Sequence, residues 1–326
     1  ISSLQENKDS ANIFFIILDG MMTLDSAEKL KIIENKKAII NSLKKDNINY
    51  KENFLVNYDS TYLSIASLLE GSYPATEETR RYRTRKNFFP IFLLNQKKDN
   101  NFFKILRKTN KKFFWLGNSI ASCQNNIYIN CISDNKNLKF ISIVSLFYFD
   151  SIYIYLFNKI PYQTDNRYEA MNFLINPKRE FKKNEIYLLH ILNPHPPYYL
   201  NKKCEIKNDL MANLKNKEME IEYYSYAYNC LINMAQTFAN KISKINENNL
   251  VFIMGDHGWS FDYETMKKNN LEKSENRFKT FFSYKIPSKC NQISTPNSIV
   301  NVIRFALTCS GNMDIKYLKD LQFKSF

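Results

Sequence analysis

Histidine is scarce in this chain, with three residues in 326, and glycine stands at only six. No CxxC pair occurs among the six cysteines, which excludes the usual thiolate zinc site. There is no arginine-rich stripe and no zinc-finger or RNP-type motif. The net charge of +14 therefore does not mark a nucleic-acid reader, and no nucleic-acid partner is expected. The lysines are dispersed among asparagine, isoleucine and phenylalanine, as in KKDN and MKKNN. They read as compositional drift, with attraction to an anionic membrane surface as a secondary effect. Pro/Gly-rich linkers and internal repeats are absent, so a single domain over 1–326 is expected. A hydrophobic fraction of 44% with 15% aromatics excludes a disordered chain and supplies a sizeable core.

The chain opens at Ile1 without an initiator Met, a basic n-region or an apolar leader, and reads as a processed or excised domain. The stretch Phe140–Phe157 approaches the length of a membrane span. Asp150 and three serines interrupt it, which favours a buried or membrane-surface helix. Cys123 and Cys131 bracket the polar loop CQNNIYINC. They either bridge in an oxidising compartment or stay as buried thiols.

Apolar runs alternate with helical patterns along the chain. Asn12–Leu18 is a continuous apolar run ending at Asp19-Gly20, as a buried parallel strand does. Residues 27–45 carry apolar side chains at helical spacing. ENFLVNY reads as a second strand leading into the helix TYLSIASLLEG. KKFFWLGN and EIYLLHIL read as the third and fourth strands. A long helix from about Asp209 to Asn246 leads into NLVFIMG as a fifth, and TFFSYKIP is a late strand. STPNSIVNVIRFAL predicts a closing helix with Thr295 as N-cap and Pro296 at its first position. This alternation predicts an α/β fold, a three-layer α/β/α domain with a doubly wound, mostly parallel sheet. Ligands in such sheets bind at the carboxyl ends of the strands.

The scarce residues gather at those ends. His190 and His195 lie in LHILNPHPPYYL, His257 lies in GDHG, and four of the six glycines flank candidate site residues. Asp19, Asp256, His257 and the hydroxyl of Thr61 form an O/N donor set suited to one divalent ion: Zn²⁺, Mn²⁺ or Mg²⁺. Thr61 opens a helix, where a metal-bound hydroxyl is a good nucleophile and the helix amides favour an anionic group. Ser60 is adjacent, and either hydroxyl would also serve as an ordinary N-cap. His195, between two prolines, reads as facing an anionic substrate group. His190 lies within its strand and is either catalytic or simply buried and hydrogen-bonded.

These motifs resemble the alkaline phosphatase superfamily in its sulfatase-like branch, over most of the chain. NIFFIILDG resembles the opening strand with the first metal carboxylate, and GDHG the late Asp-His metal pair. The stretch from Thr61 to Pro74 is similar in spacing to the sulfatase signature. In that register Thr61 takes the nucleophile position, Ser64 the motif serine, and Gly71-Ser72-Tyr73-Pro74 the closing turn. HILNPHPPYYL resembles the segment whose histidines face the substrate.

The resemblance implies an alkaline phosphatase-like fold and a metal-dependent phosphoester hydrolase or phosphotransferase. The catalytic residues would be Thr61, His195 and His190, and the metal ligands Asp19, Thr61, Asp256 and His257. Sulfatases place at the nucleophile position a Cys or Ser that becomes formylglycine, whereas this chain has Thr61, with Leu63-Ser64-Ile65 in place of Pro-Ser-Arg. No histidine follows His257 to hold a second ion, so Arg277 or Lys279 would supply positive charge to the substrate. One metal, a Thr nucleophile and cationic side chains form the pattern of membrane-anchored phosphoglycerol and phosphoethanolamine transferases. That pattern implies a phosphorylated lipid or glycan substrate, a membrane surface nearby and an extracytoplasmic location, attached through a segment absent from this chain. The alternatives are a sulfuric ester hydrolase and a catalytically inactive domain that binds anionic ligands.

Overall fold

In this computed structural model the described residues are 11–76, 88–89, 93, 100–117, 129–131, 166–207, 216–311 and 313–324. The expected Phe140–Phe157 helix and Cys123, on which the choice between a Cys123–Cys131 bridge and free thiols depends, lie outside them. Seven strands form one sheet in the order β2-β7-β6-β1-β5-β3-β4. They are β1 Ile13–Leu18, β2 Asn49–Tyr50, β3 Lys112–Leu116, β4 Ile129–Cys131, β5 Glu185–Ile191, β6 Leu250–Met254 and β7 Phe282–Lys285. β6, β1, β5, β3 and β4 run parallel, and β7 and β2 add an antiparallel edge.

The helices are α1 Leu24–Lys29, α2 Lys36–Lys45, α3 Thr61–Glu70, α4 Asn101–Thr109, α5 Asn166–Ile175, α6 Lys217–Ile245, α7 Tyr263–Lys268, α8 Lys273–Phe278 and α9 Val302–Cys309. The abundant asparagines start several of them. Asn35, Asn100 and Asn216 each accept a hydrogen bond from an N–H in the first turn of α2, α4 and α6, satisfying a donor that the helix cannot.

The pleat of β1 sends side chains into two cores. Phe14, Ile16 and Leu18 face α5 and α6, where Phe14 stacks on Tyr187 with centroids 4.7 Å apart. Ile13, Phe15 and Ile17 face α3, α4 and α9. Because β1 is apolar on both faces, helices must cover both, and three layers result.

Three elements depart from the sequence reading. The helix expected over 27–45 is two helices, because Lys31 adopts a positive φ of 56° and ends the first. ENFLVNY is not a strand. Asn53 turns the backbone at φ 57°, and Leu55 makes only isolated bridges, to Lys279 and Ser298. The short strand β2 precedes it instead. The closing helix does not begin at Thr295-Pro296. The backbone and side-chain oxygens of Thr295 accept bonds from Lys51 Nζ, and the helix starts at Val302 after a 3-10 turn, Ile299–Asn301. The short strand β4 went unread in the sequence.

Two disulfides, Cys204–Cys230 and Cys290–Cys309, join described residues. The second ties the end of α9 to the 3-10 turn Ser288–Cys290, and both of its cysteines are buried. Closing a loop of this size stabilises by about 2–4 kcal/mol through the unfolded chain. A Cys290→Ala/Cys309→Ala double variant should lose about that much in urea unfolding at equilibrium. An unchanged midpoint would show that the bridge contributes nothing. Among the described residues no helix is long and apolar enough to cross a membrane.

Candidate active site

The three central strands β6, β1 and β5 end side by side, and that adjacency assembles the polar residues. Asp19 follows β1, with its N–H bonded to Ile191 O of β5 at 2.9 Å. His190 lies on β5 opposite Ile17 of β1. Asp256 and His257 follow β6, between two glycines. At Gly258 an added Cβ would lie 1.9 Å from Asn276 O and 2.3 Å from Lys279 O, so only glycine lets the chain pass this closely.

Asp19, His190, Asp256 and His257 are all buried. His190 Nε2 sits 3.2 Å from Asp19 Oδ2, and His257 Nε2 sits 3.5 Å from Asp19 Oδ1 and 3.7 Å from Asp256 Oδ2. Thr61, the first residue of α3, places its Oγ1 3.4 Å from the same His257 nitrogen. The His257 tautomer follows from its other side. Nδ1 lies 3.1 Å from Gly258 O, a group that only accepts, so in the neutral ring Nδ1 carries the proton and Nε2 offers a lone pair. His195 is fixed the same way by Pro196 O, 2.5 Å from its Nδ1, and its backbone N–H donates to Asp19 O. Its ring is half-buried and packs edge to face on Trp259 with centroids 4.7 Å apart.

Electrostatics fit this convergence. Burial raises the Asp19 pKa, but the charge of His195, the hydrogen bond from His190 and the charge of His257 together bring it down to about 2. Burial opposes charge on His190, yet its bond to Asp19 and the two carboxylates push its pKa up.

Asp256 Oδ1 accepts from the N–H groups of Gly20 and His257, both at 3.0 Å. Its other oxygen, Oδ2, and Oδ1 of Asp19 are buried without a hydrogen-bond partner. Unpaired buried carboxylate oxygens are costly, and a cation between them removes the cost. Ligand atoms of Asp19, His190 and Asp256 lie within 4.8 Å of one another and could hold a metal ion. With the Nε2 lone pair of His257, this donor set fits one divalent ion.

The two cations named from the sequence each have a protein partner. Arg277 donates to Asp59 O at 2.6 Å, bracing the loop that leads into Thr61. Lys279 pairs with Glu275 on the preceding turn. Sequence reasoning gave His190 a catalytic or a merely buried role, and its ring lies where it could also be a metal ligand. The strand phase carried the signal, since His190 continues the Ile186–Leu188 face that α3 covers. Tyr224 and Trp259, which back the site, went unread because nothing local distinguishes a supporting aromatic from an ordinary core one.

The Sulfatase family model matches residues 11–311. The chain belongs to the sulfatase family. It is thus an enzyme of the alkaline phosphatase superfamily. None of the curated proteins matches it in sequence. Among solved structures, this sulfatase-family chain is similar to the C-terminal periplasmic domain of EcEptC from Escherichia coli in complex with Zn. Identity there is 11%, the match covers 94% of this chain and 84% of that one, and the TM-score is 0.53. It is also similar to the soluble domain of lipooligosaccharide phosphoethanolamine transferase A from Neisseria meningitidis. There the identity is 12%, coverage is 97% and 92%, and the TM-score is 0.51. Against the integral membrane form of that transferase the chain spans 57% of the length, at 13% identity and TM-score 0.50. At these identities the likeness is one of fold.

Proposed function

We propose that this chain is a single catalytic domain that transfers or hydrolyses phosphoester head groups of lipids or glycans, with Thr61 as nucleophile. The observation that carries the reading is the position of Thr61 Oγ1. It lies at the start of α3, half-buried, 3.4 Å from His257 Nε2 and beside two carboxylates with unpartnered oxygens. Asp19, His190, Asp256 and His257, with Thr61, would hold one divalent ion. When bound, that ion would offset negative charge on the attacking oxygen and on the transferred group.

Thr61 Oγ1 forms the new bond to phosphorus as the bond to the departing oxygen breaks, and the hydroxyl proton ends on that departing oxygen. An acceptor hydroxyl, or water, then takes the phosphoryl group from Thr61 and restores its proton. His195, with Nδ1 bonded to Pro196 O, would hold a phosphoryl oxygen through Nε2 in its doubly protonated form, which donates from both nitrogens. The N-terminal amides of α3 favour the same anion. Arg277 adds positive charge behind the Thr61 loop. We place the domain outside the cytoplasm, at a membrane surface. Its disulfides and basic charge support this, as do fold relatives described as periplasmic or as membrane proteins.

A sulfatase reading competes because the family carries that name. Sulfatases convert a Cys or Ser at the nucleophile position, and Thr61 offers neither. Purified protein given matched aryl sulfate and phosphodiester substrates, with Zn²⁺ or Mn²⁺ added, should cleave the phosphodiester faster. Faster sulfate cleavage would overturn the proposal.

A further inference from the structure

Helix α6 crosses behind the Asp19 turn and sends two tyrosine hydroxyls into it. Tyr224 is fully buried, and its hydroxyl does two things at once. It donates to Gly20 O at 2.8 Å and accepts from Met22 N–H at 3.2 Å, so a single oxygen bridges the segment that directly follows Asp19. Gly20 sits there at φ +70°, a conformation with no preference of its own to hold it in place. Yet this same residue aims its N–H at Asp256 Oδ1. The Asp19–Gly20 peptide therefore links the two carboxylates whose oxygens Asp19 Oδ1 and Asp256 Oδ2 are left unpartnered, and Tyr224 holds the peptide that follows it.

Tyr228, one helical turn on, donates to Met22 O at 3.0 Å. That contact is of the same kind and equally buried, but it lies at the far end of the turn and touches neither carboxylate's partner. The ring of Tyr224 has a separate role. It stacks against Trp259, which packs on His195, so a phenylalanine at 224 keeps that wall while deleting the hydroxyl.

We infer that the Tyr224 hydroxyl is a positioning group for the candidate metal centre. It fixes Gly20 through the carbonyl, on the peptide after the one whose N–H meets Asp256, so that Asp19 and Asp256 present their free oxygens to one point. The inference rests on the metal-binding reading above. Groups one shell behind a metal ligand set its orientation, and losing one costs about 10–100-fold in metal affinity.

The test compares Tyr224→Phe with Tyr228→Phe by titrating metal-free protein with Zn²⁺ against a chromophoric chelator. Both variants lose one buried tyrosine hydroxyl and should melt somewhat below wild type. Only Tyr224→Phe should bind Zn²⁺ more weakly, by about 10–100-fold, with Tyr228→Phe within about threefold of wild type. Equal affinities in wild type and Tyr224→Phe, or equal losses in the two variants, would overturn the inference. Wild-type protein without a stoichiometric Zn²⁺ site would sink the metal reading itself, and this inference with it. Should Tyr224→Phe fail to fold, amide hydrogen exchange on wild-type protein decides. Zn²⁺ should slow exchange at Met22 N–H, and an unchanged rate there would count against the role.

Discussion

Thr61→Ala protein should fold and bind metal, yet form no covalent phospho-enzyme and turn over a phosphodiester at least about 10³-fold more slowly. The size of the effect follows from the geometry. Thr61 Oγ1 is the one hydroxyl placed against the ring nitrogen of His257 by a described contact, at the positive end of α3. Ser60 is the control. It occupies the N-cap position without a side-chain cap bond, so Ser60→Ala should cost less than about 1 kcal/mol of helix stability and leave turnover nearly intact. Mass spectrometry of acid-quenched enzyme, locating phosphate on the peptide that contains Thr61, checks the assignment independently of rate. Equal losses in the two variants, or a mild Thr61→Ala, would remove Thr61 from the chemistry.

The second large effect reverses sign with metal. In Asp256→Asn the remaining amide oxygen still accepts from the Gly20 and His257 N–H groups, while the unpartnered charged oxygen is gone. With a chelator present, the variant should therefore melt at or above the wild-type temperature, since a buried carboxylate oxygen without a hydrogen-bond partner has been replaced by a neutral group. With Zn²⁺ the order inverts. Wild type gains about 2.7 kcal/mol when free ion stands at 100 times Kd, and the variant gains almost nothing and loses activity. Calorimetric melts of both proteins with and without Zn²⁺ read this crossing directly. Matching Zn²⁺-induced shifts in the two proteins would mean that Asp256 does not hold the ion.

Much of the architecture is legible in the sequence because central parallel strands are apolar on both faces. IFFIIL and LVFIM can be little else, and the carboxylates that end them mark the sheet's functional edge. ENFLVNY misleads for the same reason. Its Phe54 and Val56 are core residues, but they are delivered from a loop, and composition alone does not separate a buried loop from a strand. The break after Leu30 depends on a lysine at positive φ, for which no glycine or proline gives warning. Candidate ligands are readable where type and position coincide, as at Asp256-His257 between glycines. The surroundings of Arg277 and Lys279 are harder to read, because a cation's direction depends on what it meets. Asp59 O and Glu275, the groups they meet, do not stand out in the chain.

The strand order sets the sequence of events by which this enzyme acquires its chemistry. β1 is the middle of the sheet and the first strand in the chain, but Ile13 pairs with Ile186 and Leu250. During synthesis the hydrophobic strand that carries Asp19 therefore waits for both neighbours, exposed on two faces and two edges. Asp19 meets His190 only after β5 emerges, and Asp256 only after β6. Closure across such long stretches of chain makes assembly slow and leaves nascent protein open to mispairing. Ribosome-bound intermediates lacking β6 would carry α3, Asp19 and His190, yet lack Asp256 and His257 to complete the buried cluster.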